Sequence, residues 1–143
     1  EDYLSDSLFE VITQVISVPN DISLVSGYNP SIAIRTLEDS IIMTVWGQSE
    51  RNNKAHECEE MSDIAEIVRG KWMHVELFAK EGYTWSHCPL TTLKIDGKTV
   101  FRSTIPNAVN TVLGGDIKYG IYKSDWYDGN VGNATERTIY FDG

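Results

Sequence analysis

The pentapeptide Lys118-Tyr119-Gly120-Ile121-Tyr122 carries the residue types most able to do chemistry in this chain. Read as a strand, its period-two alternation places Lys118, Gly120 and Tyr122 on one face and Tyr119 and Ile121 on the other. An ammonium and a phenol then share a face, with a side-chain-free glycine between them where a flat ligand can approach the backbone. That pair suits a site that binds an oxygen-rich sugar, or one that neutralises a carboxylate while moving a proton. An ordinary strand with one exposed lysine and two packed tyrosines satisfies the same pattern, so the pentapeptide alone does not choose between them.

The rest of the chain must supply a scaffold for that face. Its 143 residues predict one domain spanning 1–143, long enough to bury a core, and 41% apolar against 23% charged residues is a globular balance. With 21 acidic and 12 basic side chains the net charge is −9. No basic patch exists to displace counterions, so nucleic acid is excluded as an expected partner. A polyanionic ligand is expected only if the few bases converge locally. No apolar run approaches the ~20 residues of a membrane helix, so no membrane association is expected. The chain opens on Glu1, which suggests a processed product or a domain of something longer.

Metal and redox signals are weak. Cys58 and Cys88 lie thirty residues apart, preceded at two and one residues by His56 and His87. A Cys2His2 zinc site is conceivable but matches no standard spacing. A disulfide would fit an extracellular setting, and two unrelated thiols is the plainer reading. No cofactor is expected. Asp125, Asp128 and Asn130, with Asp116 near, offer hard oxygens for a structural calcium, though not in an EF-hand loop. Asn133-Ala134-Thr135 is a glycosylation sequon.

The pattern along the chain is all-β. Leu8 to Val18 is β-branched and too apolar for a sheet edge, and Pro19-Asn20-Asp21 ends it. Ser31 to Leu37 alternates with Ile32 and Ile34 on one face, and Glu38-Asp39 joins it to Ser40–Trp46 as a hairpin. Residues 48–63 read as a long polar surface loop, with a short helical turn near Met61–Val68. A strand is expected from Gly70 to Lys80. A hairpin around Asp96-Gly97 follows within Leu93–Phe101. The last strands are placed at 117–123 and 136–142, separated by the aromatic and acidic loop Ser124 to Asn130. Eight or so strands with regular turn signals indicate an antiparallel β-sandwich or jelly roll.

The order of these features resembles the heparin lyase I and glucuronan lyase type of polysaccharide lyase, a concanavalin A-like jelly roll. The resemblance rests on Gln14, Asn29-Pro30, Gly70-Lys71-Trp72, Leu93 to Lys98, Lys118 to Tyr122 and Ile139 to Asp142. It implies an acidic, uronate-containing polysaccharide as substrate, cleaved by β-elimination. It further implies Tyr122 in proton transfer, Lys118 as carboxylate or hydroxyl partner, and Gln14 as the groove glutamine. A tyrosine can serve if a nearby cation lowers its pKa from about 10. Trp126, Tyr127, Trp46, Arg35 and His56 are the expected substrate-binding residues, although each tryptophan is equally explained by packing. Two departures stand out. Gln14 is followed by Val15 and Ile16 where the family often has a histidine. The family's earlier arginine-bearing strand has no room before Gln14, so N-terminal strands are absent or lie upstream.

Two further readings remain open at this level. One is a non-catalytic glycan-binding module on the same fold, such as the end of a phage tail spike or fibre. The other is a structural, homo-oligomeric module with no ligand. All of them place the protein outside the cell or on a virion.

Overall fold

The computed structural model describes residues 6–17, 30–47, 58–109, 115–123, 129 and 138–142. Their strands are β1 (Glu10–Ser17), β2 (Ile32–Leu37), β3 (Ser40–Gly47), β4 (Cys58–Glu66), β5 (Val75–Lys80), β6 (Leu90–Ile95), β7 (Lys98–Ser103) and β8 (Gly115–Tyr122). Among the described residues a 3-10 turn, Trp85–His87, interrupts them, and none of the described segments is a helix long and apolar enough to cross a membrane.

The strands form two antiparallel sheets, a larger one in the order β4-β3-β2-β1-β8 and a smaller one in the order β5-β6-β7. The fold is the expected all-β jelly-roll sandwich. Period-two alternation builds its core. Val15, Ile32, Ile34, Ile41, Met43 and Val45 point from the large sheet onto Leu93 and Phe101 of the small one. Each such side chain contributes about 1.5–3 kcal/mol on burial. β1 is interior, between β2 and β8, as its apolar sequence demands.

Three expectations fail for identifiable reasons. The expected 48–63 loop is a strand from Cys58 onward, and the helical turn near Met61–Val68 is absent; β4 pairs with β3 along its whole length. Its acidic composition hides it, but β4 is the edge of the sheet, where charges are tolerated and block further pairing. The strand expected from Gly70 begins only at Val75. At His74 the hairpin turn takes over the pairing, because Asp96 Oδ1 accepts from His74 N–H at 3.0 Å and Asp96 N–H donates to His74 O at 2.9 Å. Residues 138–142, expected in a terminal strand, carry no strand pairing. Phe141 instead meets Tyr119 edge-on at 5.3 Å.

The Asp96-Gly97 hairpin is as expected. Both residues have positive φ, 50° and 77°, the pair of values that matches the twist of the flanking strands. At the far end, the fully buried Asn107 ties three segments together. Its Oδ1 accepts from Gly82 N–H at 2.9 Å, and its Nδ2 donates to Lys80 O at 3.1 Å and Thr91 Oγ1 at 2.9 Å.

Candidate active site

The trench-forming face of the large sheet is fixed by strand register. Gln14 on β1 is the direct partner of Lys118 on β8 and of Ala33 on β2. The next row on the same face is Tyr122, Val11 and Arg35, since Val11 pairs with both of the others. Partners across a ladder share a face, so Lys118, Gln14, Tyr122 and Arg35 project together, away from the core that Val15, Ile32 and Ile34 enter.

A β-bulge adjusts the rows. The register of β1 shifts between Val11 and Thr13 against both neighbours. Gly120 supplies the extra residue on β8 with φ +140°, a conformation open to glycine and strained for other residues. The bulge brings Val11 onto the face that Gln14, Lys118, Arg35 and Tyr122 already occupy by alternation.

These residues line an open trench of about 590 Å³ along β1 and β8, with Phe9 and Pro30 also in its lining. Arg35 and Lys118 are the only charged groups among its described lining residues, which include no carboxylate. In a chain of net charge −9, that is a local reversal of sign. At a rise of about 3.3 Å per residue the Cα atoms of Lys118 and Tyr122 are at most roughly 13 Å apart, and the bulge between them shortens that span. Their side chains meet only by leaning towards each other across Gly120, where a Cβ would find nothing within 4 Å. Across the strands, Arg35 lies two strand spacings, about 10 Å, from Tyr122. The phenol of Tyr122 is open to solvent, the residue being 58% exposed.

Arg35 is held by aromatic rings. Its guanidinium carbon lies 4.7 Å from the Trp46 ring centroid and 5.6 Å from that of Phe9, within cation–π range. The row between Arg35 and Trp46 is made of the small residues Ala33 and Thr44, which are cross-strand partners. Trp46 itself is 7% exposed and packed with Val11 and Ala33. It serves as a bed for Arg35 and offers no open stacking platform, which corrects its placement among the substrate-binding residues in favour of the packing alternative.

His56, Trp126 and Tyr127 lie outside the described residues, as do Asp125, Asp128, Asn130 and the sequon. Cys88 is an exposed free thiol. Among the described residues no three His, Cys, Asp or Glu side chains gather as metal ligands. His87 Nδ1 lies 2.5 Å from Thr84 Oγ1 and its ring stacks at a tilt on Tyr83, 4.6 Å away, in the loop before β6.

Sequence reasoning overlooked Phe9, Val11 and Ile16 as trench walls. Ile16 follows from alternation with Gln14. Val11 does not, because the intervening bulge inverts its expected face.

Comparison with known proteins bears on the family and the fold. The family model described as polysaccharide lyase matches residues 1–143. The crystal structure of an endo-beta-1,4-glucuronan lyase from the fungus Trichoderma reesei superposes with a TM-score of 0.72 at 18% sequence identity, covering 90% of this chain. This chain spans 55% of that protein's length. No curated protein matches it by sequence.

Proposed function

The chain belongs to the polysaccharide lyase family, and on that premise we propose that it cleaves a uronate-containing polysaccharide by β-elimination in the trench along β1 and β8. The observation that carries this reading is the presence of Arg35 and Lys118 together in a trench whose described lining residues include no carboxylate, on an otherwise acidic protein. A polymer of uronates presents regularly spaced carboxylates, and an open groove admits an extended chain where a closed pocket would not. The similar fungal protein is, by its name, a lyase of β-1,4-linked glucuronan, which makes that linkage and sugar the first substrate to try. An extended polysaccharide substrate is met outside cells, so on this reading the protein acts there.

The chemistry follows from the trench groups. Arg35, Gln14 and Lys118 hold the uronate carboxylate and offset its charge, because proton loss at C5 otherwise builds a second negative charge beside it. Tyr122 takes part in proton transfer. The C5–H bond breaks and its electron pair becomes the C4=C5 double bond. The C4–O4 bond breaks, and O4 leaves with a proton. No oxidant or reductant is involved.

The test is the ultraviolet absorbance of unsaturated uronate ends during incubation with glucuronan and a panel of other acidic glycans. Growth of that band with the wild-type protein and its loss in Tyr122→Phe supports the reading. Binding on a glycan array with no product from any glycan would select the non-catalytic module instead.

A further inference from the structure

Directly behind the trench row lies a second, buried row of polar residues. Tyr122, Val11 and Arg35 face the trench, and their sequence neighbours Lys123, Glu10 and Thr36 are buried. Glu10 and Thr36 are cross-strand partners, and Thr36 Oγ1 donates to Glu10 Oε2 at 3.4 Å. The Lys123 side chain has no exposed surface; its ammonium donates to Glu10 Oε1 at 3.4 Å and to the Asp6 carboxylate. Asp6 Oδ1 in turn accepts from Leu8 N–H at 3.1 Å, and Asp6 O accepts from Glu38 N–H at 2.6 Å.

We propose that this buried cluster is a latch that positions Tyr122, with Lys123 as the positioning residue. The inference rests on the lyase reading for Tyr122's role and extends it to the groups that aim it. β8 is the last strand of its sheet among the described residues, held by β1 alone. Two residues before Tyr122 comes Gly120, a permissive joint at φ +140° with no side chain to anchor it. Tyr122 is therefore loose on one side, and Lys123 pins it on the other. Interior ion clusters stabilise a fold no better than apolar packing of the same volume. What the cluster does provide is fixed geometry: the ammonium can satisfy both carboxylates from one position of residue 123, which sets the face and angle of residue 122. Through Glu10 and Thr36 the same cluster holds Val11 and Arg35 in the row.

The experiment places 3-fluorotyrosine at position 122 and compares wild type, Lys123→Arg, and a neutral variant combining Lys123→Met, Asp6→Asn and Glu10→Gln, which leaves no buried charge unpaired. The latch predicts that the neutral variant still unfolds cooperatively while its fluorine resonance broadens or moves. It also predicts that kcat falls at least about tenfold, as for a misplaced reacting group, with KM little changed. Lys123→Arg should recover part of both signals. A folded neutral variant with the wild-type fluorine line and the wild-type kcat overturns the proposal. Should that variant not fold, Glu10→Gln alone gives the same comparison, a displaced line supporting the latch and an unchanged one overturning it. If the wild type cleaves no glycan the lyase reading falls, and the fluorine line still decides the latch.

Discussion

Gln14 and Lys118 are direct antiparallel partners on the two strands that floor the trench. Partners in such a ladder have Cα atoms about 4.5–5.5 Å apart, so an amide and an ammonium rise side by side from the same floor. Together they can grip one carboxylate with a charge and a hydrogen bond, and neither alone supplies both.

From that pairing, Lys118→Ala and Gln14→Ala should each lower kcat/KM on a uronate polymer by about 10²–10³-fold, the usual loss when one donor to a developing anion is removed. Because both touch the same group, the double variant should lose less than the product of the two single losses. Steady-state kinetics on the four proteins checks this, and multiplicative losses would mean that the two residues act on separate groups.

Tyr122→Phe removes only a solvent-exposed phenol oxygen. We expect kcat to fall about 10²–10⁴-fold, the range for a lost proton-transfer group. The thermal midpoint should move by no more than about 2 °C, since exposed substitutions change stability by ~0.5 kcal/mol. Turnover assays and a melting curve on the same preparation separate the two effects.

Arg35→Lys keeps the charge but loses the flat surface that rests between Trp46 and Phe9. An ammonium on a flexible stem is not pre-positioned in this way. A lost aromatic contact of about 1.4 kcal/mol corresponds to a tenfold weaker grip on substrate. KM should rise by about that factor, and titration calorimetry with an inactive Tyr122→Phe background reads the binding term directly.

Asn107→Ala should act on stability and leave the trench intact. It removes the partners of Gly82 N–H, Lys80 O and Thr91 Oγ1 in the buried interior. Leaving such groups unpaired costs about 1–3 kcal/mol each, so a loss of about 3 kcal/mol or more is expected. Urea unfolding should show a lower midpoint at an unchanged slope.

Much of this was legible in the residues. Alternation placed Ile32 and Ile34 inside, Asp96-Gly97 announced its hairpin, and the spacing of Lys118, Gly120 and Tyr122 gave their common face. What escaped depends on tertiary context. The acidic β4 strand forms because β3 offers it a free edge, a fact absent from its own composition. Val11 turns to the trench because a bulge changes the period after it. Trp46 looks like a sugar platform in sequence, and only its burial and its contact with Arg35 reveal it as a support. The buried pairing of Lys123 with Asp6 joins residues 117 positions apart, beyond any local pattern.

The most direct test of the account is a crystal structure of the Tyr122→Phe variant soaked with a uronate oligosaccharide. The account predicts sugar lying along β1 and β8 with a carboxylate on Arg35, Gln14 and Lys118 and the sugar ring carbons facing position 122. Sugar bound on another surface, with the trench empty, would contradict it.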